Sequence, residues 1–262
     1  MTDDPHPKQH LLEHITELRN RLLWAVGALL IGTMISYHFS KDIYGFLVKP
    51  LADAMAAVAG EGATHRMIYT DLTEAFFTYL KVSMFAGGFF TFPFLILQIW
   101  LFVAPGLFPK EKKTVLPFLI ASPTLFIMGG ALVYYVVLPL AWKFFLSFQS
   151  SADETVLPIM LEAKVGDYLN LVMVLIFAFG LCFQLPVVLA FMAKAKLITA
   201  KTLVSKRRYA IVGIFIVAAI LTPPDVISQF SLAVPLLALY EISILLVRYI
   251  NPDVSPDEPY TI

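Results

Sequence analysis

The sequence predicts an all-α membrane protein with six transmembrane helices, and three observations carry that prediction. Apolar residues make up 59% of the 262 residues and charged residues only 15%, where a soluble domain carries about 25% charged residues. Six apolar runs divide the chain, and they are continuous rather than alternating. In lipid such runs satisfy their backbone groups as helices. Lysines and arginines fall unevenly on the two sides that these runs define, the asymmetry that sets orientation. Mean hydropathy is +0.78. The formal net charge is zero, with 19 basic and 19 acidic residues, so no basic field argues for nucleic acid.

The predicted spans are about 22–39, 75–104, 116–140, 169–192, 209–221 and 230–247. Before the first, Leu11 to Arg21 reads as an amphipathic helix. Leu11, Leu12, Ile15 and Leu18 form its apolar stripe, and Glu13 and Glu17 lie on the other side. This helix is expected along the membrane surface, running into an uncleaved first span, since Ile35-Ser36-Tyr37-His38 is no small-residue cleavage site. The connection from His38 to Glu74 is long. Leu47, Leu51, Met55 and Val58 predict an amphipathic helix in it after Pro50. A second long connection spans Ala141 to Asp167.

The fifth run, Tyr209–Leu221, has only 13 residues, about 20 Å of helix at 1.5 Å per residue. It is either buried or re-entrant, or a span in a thinned bilayer. Thr222-Pro223-Pro224-Asp225 then turns the chain into run six, so helices five and six are expected to be a short hairpin. Prolines 93, 117, 123, 139, 186 and 235 interrupt the spans. Each interior proline removes a backbone hydrogen bond and kinks its helix, which predicts a kinked, curved bundle. Residues 1–250 are expected to form one membrane domain, and 251–262 a disordered tail.

With the N-terminus inside, thirteen basic residues fall on the inner side and six on the outer side. Both termini are therefore expected in the cytoplasm. No His-Glu-x-x-His, Gly-x-Ser-x-Gly, Walker A or paired-cysteine motif occurs. Neither an enzyme nor a cofactor is indicated. Cys182 is the single cysteine and reads as a small core hydrophobe.

Polar residues within apolar runs are expensive and face protein or water. Glu241 in run six and Gln184 in run four lean toward function. Gln98 in run two reads as a bond to a neighbouring helix. Thr222 and Gln229 stand at the ends of runs five and six, where they meet either headgroups or a partner. Glu241 and Gln184 also permit a second reading, a midplane site of a small-solute secondary transporter. The missing repeat symmetry counts against it. Glu111, set among Lys110, Lys112 and Lys113, is either part of a solvated charge run or an acid awaiting a partner. With Glu17 it supplies two carboxylates able to hold guanidinium groups.

The stretches Glu17-Leu18-Arg19-Asn20-Arg21-Leu22, Gln98-Ile99-Trp100-Leu101-Phe102-Val103-Ala104-Pro105-Gly106-Leu107 with Lys110-Glu111, and Leu221-Thr222-Pro223-Pro224-Asp225-Val226-Ile227-Ser228-Gln229 resemble the TatC family. This is the multi-spanning subunit of the twin-arginine protein translocase. Phe179-Gly180 with Pro186, and Lys206-Arg207-Arg208-Tyr209, fit as well. The resemblance runs from about Leu11 to Arg248. It implies a receptor for twin-arginine signal peptides of folded cargo, in a bacterial cytoplasmic membrane. Single-span TatA and TatB would be the partners, assembly would be into oligomers of TatB–TatC units, and the protonmotive force would drive export. It implies Glu17, Arg19, Leu22, Phe102 and Glu111 as the signal-peptide site. Thr222 and Gln229 become positions for a partner helix, and Pro50 and Asp225 functional positions of the outer connections. Many relatives carry glutamate where this chain has Gln184, so a polar contact replaces a titratable one there. Lysines also follow Glu111 where arginines are often found.

Overall fold

A computed structural model describes residues 7–59, 66–107, 116–150, 157, 161–222 and 226–251. Apart from short isolated bridges, the described residues outside loops are helical: α1 Pro7–His38, α2 Ser40–Ala59, α3 Glu74–Leu107, α4 Leu116–Leu132, α5 Leu138–Leu146, α6 Val165–Cys182, α7 Leu185–Lys194, α8 Ala200–Ser205, α9 Arg207–Leu221 and α10 Val226–Ile250. Five stretches are long and apolar enough to cross a bilayer: His14–His38, Glu74–Phe102, Leu116–Leu146, Val165–Lys194 and Gln229–Ile250. The sixth expected span is α9, with 15 residues and about 22 Å of length. It is short, as its sequence predicts.

Several boundaries differ from the expectation for physical reasons. The helix expected from Leu11 to Arg21 does run into the first span, as one unbroken helix, α1, with no proline or glycine between Leu11 and Val26. The helix expected after Pro50 begins at Ser40 and contains the proline. Pro50 has no N–H for the carbonyl four residues earlier. That carbonyl, on Phe46, accepts a hydrogen bond from the Tyr134 hydroxyl at 2.8 Å instead. Leu47, Leu51 and Met55 are buried as their stripe predicts. The sixth helix is not short. Polar residues at both ends of the apolar run continue it, and α10 has 25 residues.

Two spans break at prolines. A π-helical turn, Val133–Val137, separates α4 from α5. Leu138 N–H reaches back to the Val133 carbonyl, and Pro139 follows at the start of α5. The wide turn accommodates a residue with no N–H to give. Likewise Phe183 and Gln184 form a tightened turn before Pro186, where Gln184 N–H donates to the Leu181 carbonyl at 2.9 Å.

Two compact units divide the chain. In the first, Met1–Ile43 with Tyr79–Pro123, α1 and α3 approach through glycine. A Cβ on Gly87 would lie 2.6 Å from Thr33 N, and one on Gly32 2.6 Å from Thr91 Cγ2. Buried Ser36 and Ser83 extend this small-residue seam. Trp100 donates from Nε1 to Ser122 Oγ at 3.3 Å and stacks on Phe118. Leu23, Trp24, Leu30, Ile31 and Met34 of α1 are exposed, a surface left for lipid or a partner.

In the second unit, Tyr44–Thr78 with Thr124–Ile262, the backbones of α4 and α6 nearly touch. A Cβ on Gly129 would meet the Phe179 carbonyl at 2.7 Å, and one on Gly180 the Phe126 ring at 2.5 Å. Phe126 and Phe179 are fully buried. The connection before α3 is fastened to the start of α6. Ile68 exchanges backbone bonds with Ala163 and Val165, and Glu74 accepts from Gly166 N–H at 2.9 Å and Thr70 N–H at 3.0 Å. Lys164 Nζ stands 3.8 Å from the same carboxylate. α10 packs chiefly on α7 and α9.

Candidate functional site

The antiparallel pairing of α1 and α3 brings the start of one helix to the end of the other. Glu17 and Arg21 stand one turn apart on α1, the spacing at which their side chains meet. Glu17 Oε1 accepts from Arg21 Nε at 2.9 Å and also from its Nη2. Arg21 Nη1 donates to Gln98 Oε1 on α3 at 3.5 Å, the interhelical bond expected of that glutamine. Arg21 is thus tied to both helices. Glu17 Oε2 lies 3.9 Å from His14 Nδ1. The His14 ring stacks on Phe102 with centroids 4.3 Å apart and planes 15° from parallel.

Glu17, expected at the N-terminal part of the site, stands near Phe102, the residue expected beside Glu111, but its carboxylate is already paired within the chain. One oxygen is committed to Arg21 and the other faces the His14–Phe102 stack. Leu22 is 60% exposed, ready for an apolar contact. Arg19 is exposed and touches Asn20 at 3.4 Å. Glu111 lies outside the described residues. Sequence reasoning passed over Arg21 and His14 as site members. Their signal was the i,i+4 and i,i+3 spacing from Glu17.

The other predicted residues occupy separate places in the second unit. Gln184 is buried on the wall of a groove of about 550 Å³ lined by α6, α7, α9 and α10 residues, among them Leu181, Val188, Gly213, Val217 and Tyr240. It is the one amide in an almost wholly apolar lining. Thr222 is buried, and its hydroxyl donates to the Ala218 carbonyl at 2.8 Å. Gln229 Nε2 donates to the Phe215 carbonyl at 3.3 Å, fastening α10 to α9. Glu241 is exposed, and its Oε1 receives Arg207 Nε at 2.7 Å. Arg207 opens α9, so the pair stands at the end of that short span rather than at its middle. Pro50 is buried in the wall of a second pocket. Asp225 and the tail after Asn251 lie outside the described residues. Among the described residues no group of acidic, histidine or cysteine side chains could hold a metal ion.

Helices of spanning length with exposed apolar faces and a polar cluster at one helix-pair end define a polytopic α-helical membrane protein. The family model for "Sec-independent protein translocase protein (TatC)" matches residues 13–235. The protein of that name from Magnetococcus marinus is 50% identical over 251 residues, covering 96% of this chain and 88% of the relative. The one from Rickettsia prowazekii is 47% identical over 239 residues, covering 91% and 92%. A crystal structure described as the twin arginine translocase receptor TatC superposes with a TM-score of 0.77. It is 36% identical and covers 91% of this chain and 99% of that one. The chain belongs to the TatC family and is a component of the Sec-independent, twin-arginine protein translocase.

Proposed function

We propose that this translocase component is the receptor for the paired arginines of a signal peptide, and that Glu17, Phe102 and Glu111 receive them. The observation that carries this reading is the Glu17 carboxylate at the α1–α3 end, with Oε2 turned toward His14 and Phe102. A guanidinium is flat, permanently charged and forked. It can donate to a carboxylate oxygen while its face lies on an aromatic ring. Arg19 and Leu22 border the same end of α1. The apolar part of the signal would follow the exposed face that Leu22 begins.

Both termini face the cytoplasm in this proposal, in a bacterial inner membrane. The thirteen-to-six distribution of basic residues supports that orientation. Single-span TatA and TatB are the proposed partners, in oligomers of TatB–TatC units powered by the protonmotive force. The apolar groove beside Gln184 is a concave wall on which one apolar helix of such a partner fits. The short α9 supports local thinning of the bilayer beside it. The transporter reading finds no support in the geometry: Glu241 does not line the groove that holds Gln184 and is paired with Arg207 instead.

Site-specific photocrosslinking tests the proposal. A crosslinker at Phe102 or Glu111 is expected to capture a labelled Arg-Arg signal peptide in membranes, and a Lys-Lys peptide much less. Equal capture of both peptides, or capture only from positions on α10, would overturn it.

A further inference from the structure

A second pocket, of about 440 Å³, lies between α2 and the π-turn with α5. Nothing in the signal-peptide reading uses it. Phe46 and Tyr134 form one wall, stacked with centroids 4.3 Å apart and planes 1° from parallel. Pro50 and Pro139 also line it. Three charged side chains complete the lining: Lys49 and Asp53, one turn apart on α2, and Lys143 on α5. All three are exposed, and none is ion-paired among the described residues. Two ammonium groups and one carboxylate thus stand around an aromatic hollow without having neutralised one another.

Position narrows the occupant. Tyr134 to Lys143 form the latter part of the candidate span Leu116–Leu146. Tyr134, Tyr135 and Trp142 stand toward this end of it, and tyrosine and tryptophan are enriched at the headgroup level of a bilayer. Lysines beside them keep their stems in the apolar region and their ammonium groups at the phosphates. The π-turn is itself a local departure from the helix, and such turns are frequent at functional sites. Here it carries Tyr134 and Tyr135 into the pocket wall.

From these observations we infer that the pocket binds the headgroup of a phospholipid bearing a primary amine, with Lys49 and Lys143 holding the phosphate and Asp53 the ammonium. The charges are complementary in kind: one phosphate takes hydrogen bonds from both lysines, and the primary ammonium has three N–H groups to give a carboxylate. A trimethylated amine has none, and a glycerol headgroup has no positive charge for Asp53. Acyl chains would leave along the exposed apolar faces of the span.

Native mass spectrometry of the full chain released from detergent, after mixing with equal amounts of phosphatidylethanolamine, phosphatidylcholine and phosphatidylglycerol, tests the inference. The wild-type protein is expected to retain the ethanolamine lipid preferentially. Lys49→Gln with Lys143→Gln should reduce that adduct about tenfold, the loss of charge-assisted bonds. Asp53→Asn should erase the preference for ethanolamine over glycerol while phosphate-dependent retention persists. Far-ultraviolet circular dichroism and gel filtration of each variant report folding separately, and these exposed substitutions are expected to leave both unchanged. Soluble phosphoethanolamine is expected not to displace the lipid at equal concentration. Displacement would make a free phosphate ester the ligand and overturn the lipid assignment. Equal retention of the three lipids, or retention unchanged in folded variants, would overturn the site altogether.

Discussion

Replacing Arg21 with glutamine exposes what Glu17 does. In the present arrangement Glu17 and Arg21 form a pair of zero net charge, so an arriving guanidinium meets a dipole rather than a full charge. Without Arg21 it meets one unit of negative charge. At about 4 Å the attraction is about 1 kcal/mol in watery surroundings and about 4 kcal/mol at an effective dielectric constant near 20. The Glu17 and Arg21 side chains remain 39% and 22% exposed, and screening at such sites favours the lower figure, about 1 kcal/mol. Arg21→Gln is therefore expected to tighten binding of an Arg-Arg signal peptide about fivefold. A Lys-Lys peptide should gain at least as much, because an ammonium reads charge whereas a guanidinium also reads the fork of acceptors. The ratio between the two affinities should fall. Fluorescence anisotropy of labelled peptides with the protein in nanodiscs measures both, and the gain should shrink as salt rises. Unchanged or weaker binding in Arg21→Gln, in a protein where Glu17→Gln does weaken it, would refute the compensation argument.

Three further outcomes follow from the packing. Tyr134→Phe removes the hydroxyl that donates to the Phe46 carbonyl and should cost about 1–3 kcal/mol of stability. In a Pro50→Ala background, where a backbone N–H returns, the cost should drop to about 0.5 kcal/mol, as read by a double-mutant cycle of thermal melting in detergent. Gly180→Ala drives a methyl into the buried Phe126 ring and should cost about 1–3 kcal/mol, whereas Gly213→Ala meets nothing within 4 Å and should stay within about 0.5 kcal/mol of wild type. Arg207→Ala or Glu241→Ala breaks an exposed pair. It should change stability by no more than about 1 kcal/mol, and a large loss would show that the pair is buried by a partner in the assembled state.

The helices were legible because lipid leaves the backbone few choices. Long apolar runs had to be helices, and the 13-residue run announced a short α9. Boundaries were less legible, because carbonyls freed by proline find donors far along the chain. Nothing near Pro50 reveals that Tyr134 serves Phe46, so the sequence predicts a helix that follows Pro50 where the structure has one that contains it. The length of α10 was missed because Ser228, Gln229 and Arg248 look like loop residues but extend the helix. At the candidate site, single residues were legible and their pairing was not. Glu17 was singled out for its charge and Phe102 through the family's motif. Arg21 was passed over, although its spacing from Glu17 predicted the contact. Glu241 reads as an intramembrane acid because its partner, Arg207, lies 34 residues away in sequence.

The central proposal is that two acids, Glu17 and Glu111, capture the guanidinium pair of an exported chain. Equilibrium binding of an Arg-Arg signal peptide to the Glu17→Gln, Glu111→Gln protein in nanodiscs tests it most directly. The account predicts affinity at least about tenfold below wild type, from the loss of charge-assisted bonds, with the protein still folded. Binding at the wild-type level would contradict it.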